Sequence, residues 1–143
     1  MLRRIACGTL LCALAALAGA CSSATTPTTP TTPTTVTETF TGTLNPASTN
    51  VHSFLTLLGG PVTVTLSDVG PDATKTIGFS LGTFNPTLNV CTVVFDNPAA
   101  LKTAVFSATA STGGYYCARL YDNGTVTAAA ASFTYTVTVV HPQ

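Results

Sequence analysis

The chain has 143 residues, of which only 5 are basic and 5 are acidic, so its formal net charge is zero and charged residues make up 7% of the sequence. This length supports one ordinary domain with short extensions and argues against a multidomain protein. The scarcity of Lys and Arg argues against nucleic-acid binding through a basic face. Abundant Thr with little Glu, Lys or Gln favours an all-β domain over exposed helices.

The amino terminus has the three parts of a secretory signal. Arg3 and Arg4 give a positive start, residues 5–18 are mostly Leu and Ala, and Gly19 and Ala20 are small. An apolar run of this length is short for a membrane-spanning helix, which needs about 20 residues. The pattern therefore predicts a signal peptide over residues 1–20; a retained anchor helix is the alternative.

The segment Ala18-Gly19-Ala20 is followed at once by Cys21. It resembles the lipobox of bacterial lipoproteins, although Ala18 stands where Leu is favoured. The resemblance implies that Cys21 carries lipid, becomes the first mature residue and anchors the chain to a membrane, since two or more acyl chains bind stably. Ser22, in place of Asp, favours the outer membrane of the cell envelope. Ordinary cleavage, which would leave Cys21 as a thiol, is the alternative.

Residues 21–35 form a tether after the lipidated Cys. Residues 25–35 read TTPTTPTTPTT, with Pro27, Pro30 and Pro33 at a period of three. Each Pro fixes its own φ and restricts the residue before it, so that neither a helix nor a strand is expected. At about 3.1 Å per residue, this spacer would hold the domain about 40 Å from the membrane.

Residues 36–143 change to a period of two, the alternation typical of strands with one buried face. Phe133 begins the clearest example, in which apolar residues alternate with Thr. The predicted strands cover residues 37–43, 51–57, 62–67, 77–82, 90–95, 103–109, 115–122 and 133–139. Turn signals such as Asn45-Pro46 and Asn97-Pro98 separate them. Eight short strands without intervening helices predict an antiparallel β-sandwich.

Two of the five Cys residues fall inside this domain. Cys91 and Cys117 are expected to form a disulfide, because paired Cys residues in exported domains usually do. The loop from 91 to 117 spans about 27 residues, for which chain entropy gives about 3.5 kcal/mol. A two-Cys metal site is the alternative, but His52 and His141 both lie far from either Cys in the sequence.

Five short segments of the domain occur in an order that resembles bacterial pre-peptidase C-terminal domains. They are FTGTL from Phe40, HSF from His52, GGPVTVTL from Gly59, GYYCARLYD from Gly114 and YTV from Tyr135. The resemblance spans about residues 38–142. It implies a jelly-roll-like sandwich with an accessory role and no catalysis. Some members bind Ca²⁺ through clustered acidic residues, a clustering that this sequence lacks.

The sequence contains no recognisable catalytic constellation. His52 and Ser53 are adjacent, but no Gly-x-Ser-x-Gly elbow exists and Ser53 lies in the middle of a predicted strand. We therefore interpret His52 as a partly buried hydrogen-bonding residue and expect His141, near the carboxyl end, to lie in solvent.

The acidic residues of the domain are expected at turns or strand ends. Asp68 and Asp72 are predicted to share one loop and offer the best oxygen ligands for Ca²⁺, although no dedicated cation loop surrounds them. We predict no metal site and no cofactor.

Tyr115, Arg119 and Tyr121 concentrate aromatic and cationic groups in one predicted hairpin. If they face outward, they form a patch for a protein or carbohydrate ligand; packing of the aromatic rings in the core is the alternative. Arg119 is expected to pair with Asp122 or to stack on Tyr121.

The sequence thus predicts a non-catalytic, lipid-anchored envelope module that binds a ligand. A structural, self-associating envelope component is the first alternative, and a hydrolase is the remaining one.

Overall fold

The computed structural model describes residues 33–127 and 132–143; the predicted signal peptide, Cys21 and residues 22–32 of the tether lie outside the described residues. The described residues form eight strands. Their bounds are β1 Thr35–Leu44, β2 Thr49–Thr56, β3 Gly60–Gly70, β4 Ile77–Asn85, β5 Val90–Ala100, β6 Val105–Ala110, β7 Gly114–Tyr121 and β8 Phe133–Pro142. This part of the chain contains no helix with the length and apolar content needed to span a membrane.

The strands form two four-stranded sheets, with the orders β1-β8-β3-β6 and β2-β7-β4-β5. Every strand pair is antiparallel. Most connections cross from one sheet to the other, so sequence neighbours face each other across the core, as in a jelly roll. The predicted antiparallel, jelly-roll-like sandwich of about eight strands is confirmed.

The alternation of apolar and polar residues places one face of each sheet in the core. On β8, Phe133, Tyr135, Val137 and Val139 are all buried, while the Thr residues between them are less so. On β3, a β-bulge between Leu66 and Asp68 shifts the alternation by one residue.

Strand β5 is irregular, and the turn predicted at Asn97-Pro98 is wrong, because both residues lie within this strand. Two register shifts against β4 each add one residue on β5, near Val94 and near Pro98. Pro has no N–H to donate and is tolerated in an edge strand at such a bulge. The local turn signal therefore marks a bulge here and not a chain reversal.

The disulfide predicted between Cys91 and Cys117 is confirmed, with an S–S distance of 2.07 Å. It joins β5 to β7, the two strands that flank β4. This requires a close approach at Gly82 of β4, because a Cβ atom there would overlap the carbonyl group of Thr92 on β5. Because Gly82 has no side chain, the backbone of β5 can approach β4 closely at this position.

Candidate binding surfaces

Tyr115, Arg119 and Tyr121 lie on the outer face of β7, since residues two apart along a strand share a face. Tyr115 is 46% exposed. Tyr121 lies six residues along the strand, about 20 Å away at the spacing of β-structure. Tyr116 points inward instead and stacks on Phe54 of β2, with ring centroids 6.0 Å apart. The fold brings Arg119 and Tyr121 together but leaves Tyr115 apart, and a ligand patch of all three stays a prediction.

The polar groups around Tyr121 bond to one another. Its ring lies against Gly78, where a Cβ atom would overlap it, and its hydroxyl donates to both carboxylate oxygens of Asp96, at 3.1 and 3.0 Å. Ser80, fully buried, donates to the same carboxylate at 2.6 Å. Burial is the larger cause that raises the pKa of Tyr121, and the hydrogen bond from its hydroxyl to Asp96 is the next. Asp96 thus ties β4, β5 and β7 together from the middle of a strand, so the expectation that it lies at a turn or strand end is wrong.

Arg119 stacks on Tyr121, with its guanidinium carbon 4.6 Å from the ring centroid. Of the two expected partners of Arg119, the stacking on Tyr121 is confirmed. No salt bridge joins Arg119 to Asp122 within the described residues. The Asp122 carboxylate instead accepts backbone N–H groups of Ala47, Gly124 and Val126. Partial burial acts to raise the pKa of Asp122, but these hydrogen bonds outweigh it and the pKa is lowered.

Asp68 and Asp72 do not form a joint cation site. Asp68 belongs to β3 and pairs with Lys102 at 2.7 Å, which lowers its pKa, whereas Asp72 accepts hydrogen bonds from the backbone and side chain of Thr74. Across residues 33–127 and 132–143, no group of three or more His, Cys, Asp or Glu residues is placed to hold a metal ion. The predicted shared loop is therefore wrong for Asp68, and the expected turn position is confirmed for Asp72.

His52 and Ser53 point to opposite faces of β2, as consecutive residues of a strand do. The His52 Nε2 atom lies 2.8 Å from the Tyr135 hydroxyl, and its ring stacks on Phe40 at a centroid distance of 5.0 Å. Burial lowers the pKa of His52. Ser53 is exposed on the other face. The interpretation of His52 as a partly buried hydrogen-bonding residue is confirmed, and the pair does not form the start of a hydrolytic trio.

The expectation that His141 lies in solvent is wrong, because this ring is fully buried. Its Nε2 atom lies 2.9 Å from a carboxylate oxygen of Glu38 and its Nδ1 atom 3.2 Å from the Pro142 carbonyl, and the ring of Phe54 lies 5.3 Å away. Counting the alternation of β8 onward from Val139 would have placed His141 on the inward face. Proximity to the carboxyl end was the weaker signal.

These two His residues fill one side of the sandwich, where β1 and β2 form the edges of the two sheets; we call it the closed side. At the opposite side, between the edge strands β5 and β6, a cleft of about 120 Å³ opens between the sheets. The residues that line this cleft are Val62, Leu81, Gly82, Thr83, Val94, Phe95, Ala108, Thr109, Ala110 and Tyr116.

The cleft is apolar and has an apolar rim. None of its lining residues is charged, and only Thr83, Thr109 and Tyr116 bear hydroxyl groups. At the rim, Val94 is 61% and Phe95 43% exposed, because the bulge of β5 turns both side chains partly outward. A small cleft with such a lining suits an apolar side chain. Sequence reasoning missed this site, since the bulge that creates its rim depends on the pairing of β5 with β4.

No protein-family model matches the chain, and no curated protein sequence matches it. Among solved structures, it is similar to a periplasmic inhibitor of g-type lysozyme, PliG, from Aeromonas hydrophila, with 14% identity, 75% of this chain and 86% of that chain covered, and a TM-score of 0.49. It is also similar to the Yersinia pseudotuberculosis-derived mitogen, with 15% identity, coverage of 77% and 87%, and a TM-score of 0.48. The resemblance to pre-peptidase C-terminal domains stays a prediction.

Proposed function

We propose that this chain is a non-catalytic, lipid-anchored module of the cell envelope that binds a partner protein through the apolar cleft between β5 and β6. The cleft is the observation that carries the binding role. The segment that ends in Cys21 is the basis for the anchor, and Ser22 directly after it is the basis for placement at the outer membrane.

Three features of the chain support the anchor. Cys21 directly follows small residues at the end of an apolar run, and a Pro-rich tether separates it from the first strand at Thr35. The disulfide between Cys91 and Cys117 fits an oxidising compartment outside the cytoplasm. A double or triple acyl anchor requires no apolar protein surface at the membrane, which leaves the cleft available to a partner.

The lining of the cleft favours a protein partner over a carbohydrate. A sugar needs several polar groups, whereas the described lining offers three hydroxyls, and that of Tyr116 already donates to the Thr112 carbonyl. The exposed Val94 and Phe95 at the rim lose water contact only when an apolar surface covers them. A protein segment that inserts one or two apolar side chains meets both requirements.

The anchor is tested with Cys21→Ser. This change is expected to move the protein from the membrane to the soluble fraction, because no acyl chain can then be attached. Intact mass spectrometry of the unsubstituted protein is expected to give an amino terminus at Cys21 that carries acyl mass. Membrane association that survives the substitution contradicts the anchor without touching the binding role.

The cleft is tested by photo-crosslinking in cells, with benzoylphenylalanine at Val94 on the rim. We expect a discrete protein adduct that disappears when Ala108→Leu fills the cleft. The matched control places the same probe at Val51, which is 41% exposed on the outer face of β2 and is expected to give no such adduct. An adduct that persists with Ala108→Leu, or equal adducts at both sites, contradicts the proposal.

One observation favours the self-associating component as a second candidate. Edge strand β6 is uncharged and regular, and Val105 at its start and Leu101 before it are exposed apolar residues.

A further inference from the structure

Strand β6 lacks the features that normally protect the edge of a sheet. Its residues, VFSATA from Val105 to Ala110, include no charge, no Pro and no Gly, and they pair with β3 without a bulge. Short segments with high β-propensity and low charge are prone to pair with another strand when they lie at an edge.

The hydrogen-bond pattern shows which backbone groups of β6 face outward. The Leu66 N–H donates to the Ala104 carbonyl at 2.9 Å, just beyond the paired residues of β3 and β6. In an antiparallel pair, hydrogen-bonded and non-hydrogen-bonded positions alternate. Val105, Ser107 and Thr109 therefore direct their N–H and C=O groups away from β3. These six groups have no backbone partner among residues 33–127 and 132–143.

Each of the other three edges carries at least one feature that opposes pairing. Strand β5 has two bulges and Pro98. On β1, the Asn50 side chain donates to the Thr43 carbonyl, and on β2 the Gln143 side chain donates to the Leu55 carbonyl. Bulges, Pro and occupied edge groups all oppose the addition of a further strand.

Exposed apolar residues lie at the start of β6 and in the loop before it. Val105 itself is 52% and the preceding Leu101 48% exposed, whereas β1 has no exposed large apolar residue. The β6 edge thus combines free backbone groups with apolar surface that gains from burial.

We propose that β6 pairs antiparallel with β6 of a second copy of this chain, about a two-fold axis through Ser107. Ser107 then faces Ser107 of the second copy, and Val105 faces Thr109. Each of the three resulting pairs is a hydrogen-bonded pair, so that all six outward backbone groups of each strand gain partners. The two sheets that contain β6 merge into one sheet of eight strands.

Symmetry and charge favour a second copy as the occupant. The three outward-facing residues are evenly spaced about Ser107, which makes the edge self-complementary under two-fold rotation. Because β6 has no charged residue, like-charge repulsion between the two edges does not oppose the pairing. This pairing requires neither the lipid anchor nor occupation of the cleft.

The register is tested by disulfide crosslinking of the full-length chain in its membrane. Ser107→Cys places two thiols opposite each other, with Cα atoms about 5.5 Å apart, within the range that a disulfide spans. Mild oxidation is expected to convert most of this variant into a dimer on a non-reducing gel. The matched variant Thr109→Cys faces Val105 and is expected to stay at the background of the unsubstituted chain. Thr39→Cys, on the edge of β1, is expected to behave like Thr109→Cys.

A Ser107→Cys variant that stays monomeric overturns the proposal, as does a dimer formed only by Thr109→Cys or Thr39→Cys. A second measurement requires no substitution in the interface. Sedimentation of the unsubstituted chain in mild detergent is expected to give a dimer, and a monomer at every concentration overturns the pairing. With Ser107→Pro, which removes an outward N–H and spares the ladder to β3, the dimer is expected to be lost.

Discussion

The two sides of the sandwich, where the edge strands leave space between the sheets, are built differently. On the closed side, His52 and His141 fill the gap and bond to Tyr135 and Glu38. On the side between β5 and β6, the ring of Phe106 packs against those of Phe79 and Phe95, and an apolar cleft lined by Ala108 and others remains beside them. The two four-stranded sheets are thus closed by two His side chains at one side and leave an apolar cleft at the other.

We infer that the closed side stabilises the fold, whereas the side with the cleft is the proposed binding surface. The closed side is also where both ends of the domain meet, since the Gln143 N–H donates to the Thr34 carbonyl at 2.8 Å. The tether therefore joins the domain at its well-bonded side and leaves the cleft at the far side. Four predictions, each measured on the Cys21→Ser chain, test this contrast.

The largest effect is expected from reduction of the disulfide, which holds the edge strand beside the cleft. Loss of the link between Cys91 and Cys117, which are 26 positions apart, should cost about 3.5 kcal/mol by chain entropy. The melting temperature in reductant should fall by on the order of 15 °C, measured by circular dichroism. The double variant Cys91→Ala, Cys117→Ala is the control and should not respond to reductant. Equal melting with and without reductant would contradict the prediction.

On the closed side, His141→Ala removes a fully buried ring and leaves the Glu38 carboxylate without its partner. We expect a loss of about 2 kcal/mol in the free energy of unfolding by urea, since part of the Glu38 side chain is solvated and water replaces some of the interaction. Glu38→Gln, which keeps a hydrogen-bond acceptor and the packing, should cost less than half as much. A His141→Ala variant as stable as the parent would contradict the claim that this ring stabilises the closed side.

Asp96→Ala tests the polar tie that holds β5 against β4 and β7. The variant leaves the buried Ser80 hydroxyl without its acceptor, and we expect a loss of about 1.5 kcal/mol in the free energy of unfolding. Asp96→Asn retains an acceptor oxygen and should lie between this variant and the parent. An effect of Asp96→Asn as large as that of Asp96→Ala would mean that charge, and not hydrogen bonding, is what matters.

The smallest effect concerns pH. The pKa of His52 is lowered in the folded protein by burial, so the unfolded chain binds a proton more readily. The stability that His52 contributes is therefore complete above its unfolded pKa, about 6.5, and is lost as the pH falls through the lower folded value. The melting temperature should fall as the pH is lowered from 7.5 to 5, and it should fall less in the His52→Gln variant. An equal slope in both proteins would assign it to other groups.

Much of the fold was predictable because alternation is a local property. The buried Phe133, Val137 and Val139 follow from a period of two, and each predicted strand has a counterpart. The residues of the proposed binding surfaces were less predictable. The exposure of Val94 depends on a bulge in β5, and the free edge of Ser107 depends on which strand lies at the end of a sheet.

By itself, the sequence determined the eight strands and the one pair of Cys residues able to join within the domain, because each depends on residues close together in the chain or on simple counting. The export signal, the lipidation signal and the tether stay predictions from the same kind of local pattern. The tertiary structure alone decided that His141 is buried against Glu38, that Asp96 joins three strands and that the cleft opens between β5 and β6. These features arise from strands that are distant in sequence, and the order and register of strands are fixed by packing of the whole core.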